Sequence, residues 1–136
     1  MTDRDHTPDG TRSQRIGIDE AVLCADKPIE NLKRILDDAH TTDRRLLLTR
    51  LSQEKMAALS ELHRQNIDYE AVSRTGWYGE TADTPEQAPQ VAVVTAGTSD
   101  VPVAREAVRT LAFSGVACTE VYDVGVAGLW RLLDRV

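Results

Sequence analysis

Aromatic residues make up only 4% of this 136-residue chain, with a single phenylalanine. Any core must therefore be built from Val, Leu, Ile and Ala. Cysteine is nearly absent: Cys24 and Cys118 stand 94 positions apart and neither belongs to a CxxC pair. That excludes a disulfide framework, and each thiol reads as a small, reduced, buried hydrophobe. Lysine is scarce, three residues against 13 arginines, and Asp plus Glu outnumber Lys plus Arg by 22 to 16, for a net charge of −6. An acidic chain without a basic stripe is a poor nucleic-acid binder. No apolar run approaches the roughly 18 residues that a membrane helix needs. The opening segment MTDRDHTPDGTRSQR has no apolar stretch of the kind a secretory signal carries. The expectation is a cytoplasmic protein with neither a membrane nor a nucleic acid as partner. The histidines His6, His40 and His63 show no metal-ligand spacing. His40 and His63 lie near expected helix ends and read as solvated C-terminal cations.

What is present is ordinary globular composition, 41% hydrophobic and 28% charged. Residues 1–14 are polar and turn-rich and read as a disordered tail. Residues 15–78 read as a small α/β domain. A short strand falls in the second half of IGIDEAVLC. A helix follows, with Asp26 as cap and Pro28 in its first turn. It carries Ile29, Leu32, Ile35, Leu36 and Ala39 on one face and ends near His40. RLLLTRL, residues 45–51, reads as a strand. Ser52 caps a second helix bearing Met56, Ala57, Leu59 and Leu62. IDYEAVSR, residues 67–74, reads as a further strand. The rings of TGWYG read as packing a linker onto the domain surface. That linker spans residues 79–90, rich in Pro and charge.

Residues 91–136 open with VAVVTA, a continuous apolar run typical of a strand buried on both faces. A helix with Pro102 in its first turn follows, with Ala104, Ala107, Val108 and Leu111 at helical spacing. Gly115 stands at a left-handed cap. CTEVYDV is the next strand. Residues 126–136 read as a helix with Leu129, Leu132, Leu133 and Val136 on one stripe. Strand, helix and strand in about 33 residues form a right-handed crossover, so the two strands are expected to be parallel. A parallel sheet needs more strands and helices on both faces. The second half therefore reads as the first βαβα portion of a larger domain, with the missing layers supplied by further chain or by neighbouring subunits.

Two loops carry the candidate chemistry. Gly97, Thr98, Ser99 and Asp100 follow the first strand of the second half, at the carboxyl edge where open α/β sheets bind ligands. The next helix offers free N–H groups and a positive dipole end to an anion. Gly97 permits close backbone approach, Thr98 and Ser99 supply hydroxyl donors, and Asp100 accepts from a ribose hydroxyl. Plain helix capping by Ser99 or Asp100 is the structural alternative. Asp123, Gly125 and Gly128 occupy the equivalent position after the second strand, where a tight turn is the alternative. With parallel strands both loops open on one edge. Asp100 and Asp123 near a phosphate would call for a cation, and magnesium is the usual choice.

VAVVTAGTSDVPVAREA followed by VYDVGVAGL resembles the start of the catalytic domain of the LarB family, which makes an early intermediate of the nickel-pincer nucleotide cofactor. That domain is similar in turn to the PurE-type carboxylase acting on aminoimidazole ribonucleotide, where Gly-Ser-x-Ser-Asp takes the place of Gly97, Thr98, Ser99 and Asp100. Arg12, Arg15, Gly17, IDEAVLC, the Lys27 and Pro28 pair and LLLTRLSQEK resemble the family's amino-terminal domain. The resemblance covers about residues 12–133. It implies a flavodoxin-like, PurE-like parallel-sheet domain behind a small α/β domain. It implies carboxylation of the pyridinium ring of nicotinic acid adenine dinucleotide, with carbon dioxide or bicarbonate as donor. Hydrolysis of the phosphoanhydride then gives AMP and a pyridinium-3,5-biscarboxylate mononucleotide.

By resemblance, Gly97, Thr98, Ser99 and Asp100 hold phosphate and ribose, while Asp123, Gly125 and Gly128 line the pyridinium side. The related carboxylases form octamers, so a homo-oligomer is expected. Trp130 stands where the family has His, which removes a titratable group. The family's cysteine nucleophile falls in the second half of its catalytic domain, past Val136, so this chain is expected to bind weakly or not at all and not to catalyse alone. Two other functions are consistent with the same residues: a carboxylase or mutase acting on aminoimidazole ribonucleotide, and a non-catalytic nucleotide-binding module.

Overall fold

The computed structural model describes residues 20–79 and 88–135, together with Arg12 and Arg15. Most of the expected tail and linker lies outside the described residues, as do His6 and Val136. The chain is a mixed α/β structure. Its first sheet holds four strands in the order β1-β2-β4-β3, from β1 (Ala21–Leu23), β2 (Leu46–Thr49), β3 (Ile67–Glu70) and β4 (Thr75–Tyr78). β1 and β2 are parallel, while β4 runs antiparallel to both β2 and β3. The crossover between β1 and β2 is α1 (Ile29–Thr41).

Alternation along each strand determines what the sheet's two faces meet. Leu46 and Leu48 of β2, Ile67 of β3 and Tyr78 of β4 join Leu32, Ile35, Leu36 and Ala39 of α1 in one apolar core. Leu47 points the other way, paired in register with Trp77, and is also buried. The leucine run is thus continuous because both faces of β2 are covered. On the core face Gly76 is required by space: a Cβ there would lie 2.8 Å from Ile67 Cγ2.

Several local expectations are corrected. α1 begins after Pro28, which is its N-cap, and no side chain caps it. Asp26 does not take that role, because the preceding loop is gathered by Lys55, whose Nζ donates to Cys24 O and Ala25 O at 2.5 Å and to Lys27 O at 2.9 Å. The single helix expected after Ser52 is two: α2 (Gln53–Ala57) and α3 (Glu61–Gln65). Ser52 accepts from Lys55 N as expected, but Ser60 interrupts by capping His63 N. A second Ser able to satisfy free N–H groups restarts the helix. TGWYG is no linker anchor. It forms β4, an inner strand whose Tyr78 is 2% exposed.

His63 is not solvated either. It is buried, with Nδ1 3.3 Å from Tyr78 Oη and Nε2 2.8 Å from Asp37 Oδ1. His40 does lie exposed in the last turn of α1.

The second sheet holds β5 (Val91–Val94) and β6 (Cys118–Val121), parallel and in register from Val91 opposite Cys118 to Val94 opposite Val121. Between them runs α4 (Val101–Phe113), with Pro102 in its first turn. Gly115, at φ +75°, ends it in the left-handed region, and Val116 N returns to Leu111 O at 2.9 Å. β5 is not buried on both faces: Val91 and Val94 are exposed. α4 packs on this two-stranded sheet. A 3₁₀ turn (Val126–Gly128) leads into the short α5 (Leu129–Leu133), whose Leu129 and Leu133 are exposed.

α4 also reaches the first sheet, and of the stripe its sequence suggests only Ala104 and Val108 are buried. Its buried residues are Ala104, Val108, Arg109 and Phe113, while Ala107 is exposed. The second face of the first sheet presents the alternate residues Asp68 and Glu70 of β3 and Thr75 and Trp77 of β4. Arg109 meets three of them: Nε donates to Thr75 Oγ1 at 2.8 Å and Nη2 to Asp68 O at 2.7 Å, and its guanidinium lies 4.1 Å from the Trp77 ring centroid. Arg105 pairs with Glu70. Arg45, from the start of β2, stacks 4.5 Å over Phe113 and donates to Phe113 O at 2.7 Å, satisfying an end carbonyl of α4.

Candidate functional site

β5 and β6 end side by side because they are parallel and in register, and their following loops are tied together by backbone. Thr95 N donates to Val121 O at 3.0 Å. Val124 N then returns to Thr95 O at 3.1 Å, and Gly125 N to Ala96 O at 2.9 Å. Asp123 N reaches Thr95 Oγ1 at 3.4 Å. The two candidate loops therefore leave from one sheet edge.

The backbone there is specialised. Asp123 has φ +58°, a conformation that costs a residue with a side chain roughly 1–2 kcal/mol. A Cβ on Gly125 would lie 2.8 Å from Ala96 O, so only glycine allows the loops to close this tightly. At Gly128 a Cβ would come within 3.1 Å of Trp130 Nε1.

In the first loop Gly97 is the N-cap of a 3₁₀ turn, Thr98–Asp100, with Asp100 N bonded to Gly97 O at 3.2 Å. The turn runs directly into α4. Plain capping is not what its side chains do: neither this turn nor α4 carries a side-chain cap hydrogen bond. Thr98, Ser99 and Asp100 are exposed at the open edge. Beside them an open groove of about 410 Å³ runs along Val94, Ala96, Asp100 and Val103.

In the second loop Asp123 is engaged by a residue that sequence reading missed. Arg131 Nη1 lies 3.1 Å from Asp123 Oδ1, and its guanidinium sits 5.6 Å from the Trp130 ring centroid. Tyr122, Asp123, Trp130, Arg131, Asp134 and Arg135 line a cleft of about 350 Å³. No spacing rule ties a strand-end Asp to an Arg eight positions later across a turn, so nothing in the sequence marks this pair. Asp100 and Asp123 do not assemble a metal site with other ligands. Among the described residues no group of three or more His, Cys, Asp and Glu could hold a metal ion, and Asp123 already has a cationic partner.

Neither cysteine belongs to this edge. Cys24 is buried in the first core, and burial pushes its thiol up to about 11 against the pull of Lys55 and Lys27. Cys118 is half-buried at the start of β6, the strand end remote from the loops. No helix of the described residues is long and apolar enough to cross a membrane.

Sequence comparison agrees with the first half of this architecture. The sequence model of the LarB/PurE-like N-terminal domain matches residues 5–80. An uncharacterised protein of Methanocaldococcus jannaschii is 56% identical over 47 residues, which make up 35% of this chain and 18% of that protein. The chain thus matches less than a fifth of that relative's length. With its matched segment taking in the whole four-stranded sheet, the chain belongs to the family of the LarB/PurE-like N-terminal domain.

Proposed function

We propose that this chain is the amino-terminal portion of a carboxylase of the LarB type, acting on nicotinic acid adenine dinucleotide in nickel-pincer cofactor biosynthesis. The ring carbon meta to the existing carboxylate gains a carboxyl group from carbon dioxide or bicarbonate and loses its proton. Water cleaves the phosphoanhydride, releasing AMP and the pyridinium-3,5-biscarboxylate mononucleotide. The supporting observation is the backbone tie between the loops, Val124 N to Thr95 O and Gly125 N to Ala96 O, which brings both candidate segments to one edge. The Thr98, Ser99 and Asp100 side chains are exposed and make no cap hydrogen bond, which leaves them open to a ligand there. In this reading the Thr98 and Ser99 hydroxyls and the Gly97 backbone hold phosphate, and Asp100 accepts from ribose. Asp123, Gly125 and Gly128 line the pyridinium side, and Arg131 supplies countercharge to a phosphate. A homo-oligomer completes the layers around β5 and β6.

A second reading, a nucleotide-binding module without catalysis, is favoured by the positions of Cys24 and Cys118, both away from the loop edge. Isothermal titration of the full chain with nicotinic acid adenine dinucleotide, AMP and aminoimidazole ribonucleotide, alongside product analysis with bicarbonate, separates these readings. Binding of the dinucleotide, weak in this chain alone, is expected. Consumption of the imidazole nucleotide alone overturns the LarB assignment. Saturable binding with no product, even when the cysteine-bearing half of a LarB-type catalytic domain is supplied with the chain, selects the module.

A further inference from the structure

We infer that Arg105 is a positioning residue that couples the first sheet to the second candidate loop, through Glu70 on one side and through Glu120 and Tyr122 on the other. Its consequence for ligand binding rests on the nucleotide reading above; the coupling itself does not.

Arg105 lies on α4, between the two sheets. Its Nη2 pairs with Glu70 Oε1 and its Nε lies 3.4 Å from Glu70 Oε2, at the end of β3. Its Nη1 is 2.8 Å from both carboxylate oxygens of Glu120, in β6. Glu120 Oε2 in turn accepts from the Tyr122 hydroxyl. Tyr122 immediately precedes Asp123, the residue held at φ +58° whose amide meets Thr95. The far end is equally fixed: Ser73 Oγ donates to Glu70 Oε2 at 2.6 Å and lies 2.7 Å from Thr75 Oγ1, which accepts from Arg109. One continuous set of hydrogen bonds thus runs from β4 to the residue before the second loop.

The chemistry of the chain requires arginine at its centre. A planar guanidinium can bond two carboxylates on different elements at once, whereas an ammonium is a single point of charge. Without it, Glu70 and Glu120 would face each other as like charges, and β6 would be pushed from the first sheet rather than merely released. Isolated ion pairs this exposed are worth little. Here each pair is a link between elements, so its loss is read at the loop as well as in global stability.

The test is amide hydrogen exchange by NMR on the full 136-residue chain. Arg105→Gln, Arg105→Lys, Glu70→Gln and Glu120→Gln are compared with the parent, and AMP binding is measured in parallel. Exchange of the Val124 and Gly125 amides is expected to rise roughly three- to tenfold in Arg105→Gln and in Glu70→Gln, with Leu47 and Leu48 amides unchanged. Arg105→Lys is expected not to restore protection. Glu70→Gln carries the decision, because Glu70 belongs to the other sheet and leaves the cation in place should Arg105→Gln fail to fold. Unchanged Val124 and Gly125 exchange in Glu70→Gln overturns the coupling. Altered loop exchange with no AMP binding by the parent chain sustains the coupling and removes the nucleotide reading instead. Where AMP binds, the same variants are expected to weaken it by a similar factor.

Discussion

The guanidinium of Arg109 lies over Trp77, 4.1 Å from the ring centroid, and donates to Thr75 Oγ1 and Asp68 O from the same position. This single side chain joins α4 of the second half to two strands of the first. Arg109→Ala is expected to lower unfolding free energy by about 2 kcal/mol, through lost stacking and an unpaired Thr75. Arg109→Lys should recover less than half of that, since an ammonium cannot stack and bond along a plane together. Urea denaturation measures both. Equal stability of the Lys variant and the parent would show that charge alone suffices.

The first core rests on aliphatic packing, with Leu48 fully buried at its centre. Leu48→Ala should cost about 2–5 kcal/mol, the transfer of the lost atoms plus a cavity. The check is the denaturant midpoint at unchanged slope; a loss below about 1 kcal/mol would mean that α1 closes onto the gap.

Gly125 and Gly115 are both glycines at turns, yet their replacements should separate. Gly125→Ala sets a Cβ 2.8 Å from Ala96 O and must open the tie between the loops. Gly115→Ala meets nothing within 4 Å and bears only the left-handed φ, about 1–2 kcal/mol. Titration with AMP should show lost affinity for the first variant and parent-like affinity for the second. Parent-like binding by Gly125→Ala would take the loop edge out of the site.

The two thiols should react in order. Cys118 is half-buried and is expected to be alkylated by iodoacetamide first, while Cys24 stays protected until the core opens. Burial raises the Cys24 thiol from 9.0 to about 11. The folded chain keeps a proton there that the unfolded chain releases. Its contribution to stability is complete below pH 9.0 and is lost as pH rises through about 11. Thermal melts from pH 8 to 11, compared with Cys24→Ala, expose that slope. Mass mapping of the alkylated peptides checks the order.

At the acid end, Glu70 and Glu120 are raised by burial but held below 4.5 overall by hydrogen bonds, Glu70 from Arg105 and Ser73, Glu120 from Tyr122 and Arg105. A carboxylate lowered in the folded state stabilises above its unfolded value and loses that contribution as pH falls through the folded one. Stability should therefore drop below about pH 4.5, less steeply in Arg105→Gln. Acid titration followed by far-UV circular dichroism gives both slopes; identical slopes would separate Arg105 from the acid response.

Much of this was legible in sequence because the signals were local. Leu32, Ile35, Leu36 and Ala39 recur at helical spacing, and all four are buried. Ser52 caps where expected, and Gly115 takes the left-handed φ expected of it. The two candidate loops fall after parallel strands, as a βαβ unit demands. The misses have a common cause. Trp77 and Tyr78 sit in a four-residue strand whose pattern, flanked by turn and linker, carries no periodicity of its own. His63 looks like any helix-end cation until Tyr78 and Asp37 are brought to it.

The sequence by itself determined the α/β class, the first helix and its core face, the parallel crossover and the positions of Gly97, Thr98, Ser99, Asp100, Asp123, Gly125 and Gly128 on loops. Those follow from backbone propensity and apolar period, which act within one element. Only the tertiary structure decided that α4 buries Arg109 and Phe113 rather than Ala107, and that Arg131 meets Asp123. It alone placed Arg105 between Glu70 and Glu120. A polar side chain is buried when partners from distant segments satisfy its donors, and that condition is written in the fold, not in the spacing along the chain.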